Sequence, residues 1–344
     1  MFSSLTGNDQ AKERLKRLIA AGRVPRSLLF AGPEGVGKRL FAFGLAKALM
    51  CSAVDDGEGC GGCSICARIT EIIAPPAEKG EEYDRVFFGN HTDVGLVVPY
   101  KRTLRVGSIR ALEREAQFRP YEAPIRLFII NDAEKMNDAS ANALLKTLEE
   151  PADTTHLVLI TSRPDSLLPT IRSRSQVIRF TPVQPDAIEA LLSRSHGFSA
   201  ADARLASKLC SGCIGKAVGI DLAKFKQMRD HLLKALANSA RRRGLAEVLQ
   251  IAEQLNTAAN KDDFESNLAI VESLAHDIWL LAAGAGDDAI ANVDIADDIR
   301  NIANGMAPGR VAGWLAEIET LRENLKVNVN KKIATDDLFL KMAA

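Results

Sequence analysis

Apolar and polar residues are arranged in two different ways along the chain. Up to about residue 180, helical periodicity alternates with short continuous apolar runs, which lie at 27–32, 94–98, 126–131, 156–162 and 176–180. Such continuous runs are typical of parallel strands that are covered on both faces. The periodic segments between them predict helices at 8–22, 38–50, 108–118 and 138–150. This order predicts an α/β domain over residues 1–182, with a parallel sheet and helices on both of its faces.

The pattern changes after residue 182, where strand-like runs stop. Two short helices are expected next, and Ser199 with Asp202 forms a capping-box pair at the start of the second. From about residue 222 only helical periodicity is found. We therefore expect a small helical segment at 183–221 and an all-helical domain at 222–344. Within the first domain, Asp138 is the expected N-cap of its helix.

Composition narrows the class of protein. The chain has 344 residues, of which 47% are hydrophobic, and its 44 basic and 44 acidic residues cancel. Because no apolar run reaches membrane-spanning length and the first residues do not resemble a secretory signal, a cytoplasmic globular protein is expected. With no net charge, any contact with DNA must come from a local patch. The arginines at 102, 105, 110 and 114 could form one, whereas those at 241–243 are better explained as a solvated face.

The segment "FAGPEGVGK" matches the phosphate-loop pattern and has a strand before it and a helix after it. Gly32, Gly35 and Gly37 would let backbone amides turn toward an anion, and Lys38 would reach the outer phosphates. The two positions that usually hold Mg²⁺ are both altered. Arg39 replaces the loop hydroxyl, and Asn131 stands where the strand should end in a carboxylate. Mg²⁺ is therefore not expected, while the sequence leaves open whether ATP or ADP still binds.

Four of the six cysteines lie within sixteen positions, at Cys51, Cys60, Cys63 and Cys66. Four thiolates in a glycine-rich insertion suit a tetrahedral structural Zn²⁺, and in a reducing compartment zinc is favoured over disulfides. His91 is close in sequence, but four thiolates suffice. Cys210 and Cys213 have no second pair, and we interpret them as buried or incidental residues.

Taken together, "GPEGVGK", the four-cysteine insertion, "ANALLKTLEEP" at 141–151 and "LLPTIRSRS" at 167–175 resemble the AAA+ clamp-loader subunits of bacterial DNA polymerase III. The altered magnesium positions resemble the delta-prime class within that family. The resemblance implies a RecA-like α/β domain, a small helical lid and a C-terminal helical collar through which subunits form a ring. It further implies a hetero-oligomer with delta and gamma/tau subunits, which helps to load the sliding clamp on primed DNA.

The resemblance also assigns individual residues. Arg174 falls at the arginine-finger position, from which it would act on a nucleotide bound by a neighbouring subunit, although Ser175 replaces the usual cysteine. Arg172 is the alternative if Arg174 is only a surface residue. Thr161 or Ser162 matches a γ-phosphate sensor, and Lys216 lies near the position where active subunits present an arginine. Each of these three could equally be an ordinary polar residue.

The sequence therefore favours a non-hydrolysing subunit that supplies Arg174 to a neighbour. The alternative is an active AAA+ motor subunit of the gamma/tau type that tolerates unusual metal ligands. A third possibility is a zinc-dependent nucleic-acid-binding adaptor unrelated to clamps.

Overall fold

The computed structural model describes residues 2–76, 83–255, 264–325 and 330–344. The chain divides into two compact units, residues 1–191 with 212–216 and residues 192–211 with 217–344. The segment 212–216 therefore returns to the first unit after the chain has entered the second. The division into three parts at residues 182 and 221 stays a prediction.

The helices and strands follow the predicted order. The strands are β1 Ser27–Ala31, β2 Phe87–Phe88, β3 Val94–Val97, β4 Arg126–Ile130, β5 Thr155–Thr161 and β6 Gln176–Arg179. The helices up to the start of the second unit are α1 Asp9–Ala20, α2 Lys38–Met50, α3 Ser64–Arg68, α4 Val106–Ala116, α5 Asp138–Glu149, α6 Pro169–Ser173 and α7 Pro185–Ser195. The later helices are α8 Ala200–Leu209, α9 Ile214–Val218, α10 Leu222–Ala240, α11 Leu245–Leu255, α12 Phe264–Ala282, α13 Ala296–Ala303, α14 Pro308–Leu325 and α15 Lys331–Ala343.

The sheet of the first unit has the strand order β2-β3-β4-β5-β1-β6. Within this order, neighbouring strands among β3, β4, β5, β1 and β6 pair in parallel. These five strands confirm the predicted α/β class. β2 pairs antiparallel to β3 at the edge of the sheet and was not predicted. With only two residues, it is too short to produce a periodic signal in the sequence.

The strands are apolar on both faces, as the continuous runs predicted. Leu28 and Phe30 of β1 pack with helices α1 and α2 in one core cluster, whereas Leu29 packs with α4 and α5 in the other. Because successive side chains of a strand point to opposite faces, a single strand supplies both cores. The sheet is thus covered on both sides and its strand ends are fixed in place.

The N-cap of α5 differs by one residue from the prediction. Asn137 is the cap, and its Oδ1 accepts a hydrogen bond from the backbone N–H of Ser140 at 2.9 Å. Asp138 instead occupies the first turn, where its negative charge is favourable near the helix N-terminus. Both residue types can cap, so the sequence did not separate them. The predicted cap of α8 is confirmed, since Ser199 Oγ accepts from the N–H of Asp202 at 3.1 Å.

The described residues of the second unit form helices joined by loops and include no strand, as predicted. Helices α10 to α15 enclose one apolar core, in which Trp314 donates its ring N–H to the carbonyl of Met342 at 3.0 Å. Buried Arg229 is compensated by a bidentate ion pair with Asp294, both contacts being 2.7 Å. No helix in the described part of the chain is long and apolar enough to cross a membrane.

The first phosphate-loop glycine has a packing role that does not depend on any ligand. A Cβ added at Gly32 would lie 2.2 Å from the carbonyl oxygen of Phe180, whereas one added at Gly37 would have no atom within 4 Å. We therefore expect Gly32→Ala to lower the free energy of unfolding by about 3 kcal/mol, since backbone atoms must move. For Gly37→Ala we expect about 1 to 2 kcal/mol, from its positive φ alone.

Denaturant unfolding of both full-length variants without nucleotide measures this difference. A smaller loss for Gly32→Ala than for Gly37→Ala would contradict the packing role.

Candidate functional site

The phosphate loop joins the carboxyl end of β1 to the start of α2. Gly35 and Gly37 have φ values of 82° and 97°, which a side chain would disfavour. Lys38 is the first residue of α2 and is buried, and its Nζ donates to the carbonyls of Gly32 (2.5 Å) and Pro33 (2.6 Å). Burial lowers the pKa of Lys38 because it disfavours the charged form. The loop thus has the geometry of an anion site, with its lysine folded back onto it.

Neither altered magnesium position offers a free anionic ligand at this loop. The Nε of Arg39 donates to Oε1 of Glu71 at 2.7 Å, so this side chain is engaged with the loop that follows α3. Asn131 follows β4 and supplies a neutral amide. The next residue, Asp132, accepts a hydrogen bond from Lys135 Nζ at 2.8 Å. The carboxylate that follows the lost ligand position in sequence is therefore paired with a lysine.

Glu134 is an acidic residue near this loop that the sequence analysis did not single out. It accepts hydrogen bonds from the hydroxyl of Ser162 and, at 3.1 Å, from the Ser162 backbone N–H. Burial alone would raise the pKa of Glu134, but hydrogen bonds from Ser162 and Thr161 outweigh it, so the pKa is lowered. Its charge also favours the protonated form of Lys38. Ser162, one of the two candidate sensors, is thus already bound to a protein carboxylate.

The returning segment 212–216 contacts the tip of the phosphate loop. The backbone N–H of Gly215 donates to the carbonyl of Gly35 at 2.7 Å. A Cβ on Gly35 would lie 3.4 Å from the nitrogen of Lys216. Lys216 therefore lies beside the loop, although its side chain is exposed. Cys213 is buried in this segment, and Cys210 is buried in the second unit.

Arg174 follows α6 and is partly exposed on the first unit. Its Nη2 forms an ion pair with Oε1 of Glu149 at 2.6 Å, and its Nη1 donates to the carbonyl of Thr170 at 3.2 Å. Arg172, the alternative finger, is paired with Asp165 at 2.8 Å. Glu149 was not predicted as a partner, although it lies within the quoted "ANALLKTLEEP" segment. Two acceptors on different helices therefore define the direction of the Arg174 guanidinium.

Arg174 and the phosphate loop lie at opposite ends of the parallel strands, Arg174 at their amino ends (the amino edge of the sheet) and the loop at their carboxyl ends. Leu28 of β1 pairs with Gln176 of β6, so the chain before β6 reaches Arg174 at the amino edge. The loop starts at Gly32, after the carboxyl end of β1. Arg174 lines a cavity with Ser27, the first residue of β1, and Gly32 is five residues further along that strand, roughly 16 Å away at 3.3 Å per residue. Arg174 therefore cannot contact a nucleotide held by its own chain.

The four predicted cysteines come together in the structure. Their sulfur atoms all lie within 4.8 Å of one another, and those of Cys51 and Cys63 are 3.9 Å apart. Tetrahedral zinc with Zn–S bonds of 2.3 Å requires sulfurs about 3.8 Å apart. Backbone N–H groups also point at the sulfurs, with Cys63 donating to Cys60 at 3.3 Å and Cys66 donating to Cys63 at 3.4 Å. The donor set and its amides fit a structural metal ion.

The cysteine insertion is fastened to the rest of the first unit by charge and close packing. Lys16 of α1 pairs with Glu58 at 2.7 Å and with Asp56 at 2.8 Å. A Cβ on Gly59 would lie 2.9 Å from the carbonyl of Lys47, so α2 passes directly against the insertion. His91 is not part of the cluster, because it is buried elsewhere and its Nδ1 accepts from the N–H of Asp93 at 3.2 Å.

Comparison with known proteins gives a consistent result along the chain. The family model described as "DNA polymerase III, delta subunit" matches residues 7–184, and the corresponding C-terminal model matches residues 223–343. The DNA polymerase III subunit delta' of Escherichia coli is 28% identical over 96% of this chain and 92% of its own. Its Bacillus subtilis counterpart is 29% identical over 94% of this chain and 92% of its own.

A match to another type of subunit covers a smaller part of the chain. DNA polymerase III subunit gamma/tau of Mycobacterium tuberculosis is 31% identical, but over only 56% of this chain and 31% of its own length. The similarity therefore extends along nearly the full length for the Escherichia coli and Bacillus subtilis delta' subunits and is partial for this gamma/tau subunit.

Metal content tests the cysteine cluster. Purified under reducing conditions, the protein is expected to contain about one zinc per chain, since four thiolates form a closed site. Cys63→Ser should lose the metal and expose the insertion to limited proteolysis, because the insertion has little apolar core of its own. Cys210→Ser is the matched control, as that buried cysteine lies outside the cluster, and it should keep the metal. Metal-free protein with four reduced thiols would contradict the assignment.

Proposed function

The chain belongs to the DNA polymerase III delta-subunit family, and from this premise we propose that it is the delta-prime-type stator of a clamp loader. In this role it joins delta and gamma/tau subunits in a hetero-oligomeric ring that loads the sliding clamp on primed DNA. It contributes Arg174 to a neighbouring ATPase and does not hydrolyse ATP itself. The premise rests on matches that extend along nearly the whole chain.

The charges at the phosphate loop do not favour hydrolysis by this chain. Transfer of a phosphoryl group requires Mg²⁺ to neutralise the charge that develops on it. Here Arg39 is bound to Glu71, Asp132 is bound to Lys135, and Asn131 offers only a neutral oxygen. Gly32, Gly35, Gly37 and Lys38 retain the shape of the loop, and Lys38 is satisfied by the loop's own carbonyls. The loop is kept for its part in the fold.

The observation that carries the proposal is the placement of Arg174 at the amino edge of the sheet. A guanidinium that cannot reach the nucleotide site of its own chain can act on a nucleotide only where another molecule holds that nucleotide. Placed beside a transferring phosphoryl group, such a residue raises the rate by about 10³ to 10⁵. Glu149 and the carbonyl of Thr170 occupy part of its donor set and leave other N–H groups for phosphate oxygens.

Zinc is proposed as the structural cofactor of the four-cysteine insertion. Cys51, Cys60, Cys63 and Cys66 would be its ligands, and bound zinc would supply only a rigid crosslink. The ion pairs of Lys16 with Glu58 and Asp56 would then hold the rigid insertion against α1.

The alternative is an active motor subunit of the gamma/tau type. The intact glycine loop and Lys38 favour this alternative. Arg39, Asn131 and Asp132 disfavour Mg²⁺ binding and therefore disfavour a motor subunit. The match to gamma/tau is also only partial. The isolated chain should therefore show no steady ATP turnover with or without primed DNA. A rate that disappears in Lys38→Ala would establish the motor assignment instead.

A second test uses the reconstituted complex with gamma/tau-type ATPase subunits. Arg174→Ala should leave the unfolding midpoint of the isolated chain within about 2 °C, because the Arg174 ion pair is solvent-exposed. It should lower ATP hydrolysis at the adjacent site at least about 100-fold, because the charge that stabilises the transition state is lost. Arg172→Ala is the matched control and should leave the rate unchanged. Equal rates for the wild type and Arg174→Ala would remove the finger assignment.

A further inference from the structure

A second arginine, Arg26, lies near Arg174 at the amino ends of the parallel strands. Ser27 of β1 pairs with Leu157 of β5, and Leu28 pairs with Gln176 of β6. Extending the first register by one residue sets Arg26 opposite His156, whereas Arg174 lies in the turn between α6 and β6. Neighbouring parallel strands are about 4.8 Å apart. Arg26 and Arg174 also line one cavity of about 370 Å³, together with Ser27, Ser173 and Gln176.

Arg26 is held by a neutral partner. Its Nη1 donates to Nε2 of His156 at 3.1 Å, while Nδ1 of the same ring lies 3.0 Å from the carbonyl of Pro25. Since Nδ1 must carry the proton to bond that carbonyl, Nε2 is free to accept from the guanidinium. Burial lowers the pKa of His156, the Arg26 charge lowers it further, and the bond to Pro25 only partly opposes them. The ring therefore stays neutral at physiological pH and orients Arg26.

The charge of Arg26 is not compensated within the described residues. Arg172 is paired with Asp165 and Arg174 with Glu149, each at under 3 Å. By contrast, no carboxylate in the described part of the chain lies within ion-pair distance of Arg26, and the other arginine that lines its cavity is Arg174. Two arginines that line one cavity, with only one of them paired to a carboxylate, leave a net positive charge there. Such a cavity suits a ligand with more than one negative charge.

We propose that Arg26 is a second phosphate-binding residue of the trans-acting site, so that Arg26 and Arg174 together bind the phosphate chain of a nucleoside triphosphate held by the neighbouring subunit. His156 is the positioning residue for Arg26, as Glu149 is for Arg174. This inference rests on the proposed function. It extends that function by naming the second cation and its support, neither of which the sequence pattern indicated.

The test measures ATP hydrolysis in reconstituted complexes in which only the ATPase subunit adjacent to this chain retains its own phosphate-loop lysine. Arg26→Gln should lower kcat/KM about tenfold, the size expected for losing a charged hydrogen bond. Arg26→Lys should lose less, because it keeps the charge. Arg14→Gln is the matched control, removing the same charge from the exposed face of α1, and should have no effect. The Arg26→Gln, Arg174→Ala double variant should lose less than the product of the single losses, because both residues bind one phosphate chain.

The outcomes separate this inference from the function on which it rests. If Arg26→Gln matches Arg14→Gln while Arg174→Ala lowers the rate, Arg26 has no part in the site and the finger assignment stands. If neither Arg26→Gln nor Arg174→Ala changes the rate, the proposed function itself fails. Gel filtration checks that each variant assembles. A shared loss of assembly in Arg26→Gln and Arg26→Lys would show that Arg26 has a structural role and would overturn the proposal.

Discussion

The direction of the parallel strands is the constraint on which the rest of this structure depends. Because β1 and β6 run the same way, the phosphate loop after β1 and the arginine before β6 are fixed at opposite edges of one sheet. Buried strands packed on both faces prevent either from moving toward the other. The phosphate loop thus lies at the carboxyl ends of the strands, and the cavity lined by Arg26 and Arg174 lies at their amino ends. Loss of the magnesium ligands affects only the first of these.

The sequence predicted the fold well where the signal was long. Continuous apolar runs located the parallel strands, and glycines 32, 35 and 37 placed the loop, because these patterns follow from burial and backbone conformation. Strand β2 was missed because two residues have no periodicity. The N-cap of α5 was misplaced by one residue because asparagine and aspartate are both favoured at N-caps and stand next to each other at 137 and 138. The cysteine cluster was found from spacing alone, since short loops can bring such thiols together.

The sequence predicted the candidate site less completely, for a physical reason. Arg174 could be singled out because its local segment resembled a known pattern. The residues that orient it and surround it are distant in sequence, as with Arg26 and His156, which lie 130 positions apart and meet only through the register of β1 and β5. The engagement of Arg39 with Glu71 and of Glu134 with Ser162 likewise depends on packing between elements. A single sequence contains no direct signal for such pairs.

The most direct measurement of the central claim is the structure of the assembled complex bound to ADP–beryllium fluoride with Mg²⁺. The account predicts that the guanidinium of Arg174 lies within hydrogen-bond distance of the fluoride in the neighbouring subunit's site, and that the phosphate loop of this chain coordinates no metal. Arg174 still paired with Glu149 and facing solvent, with Mg²⁺ and the analogue bound at Lys38 of this chain, would contradict it.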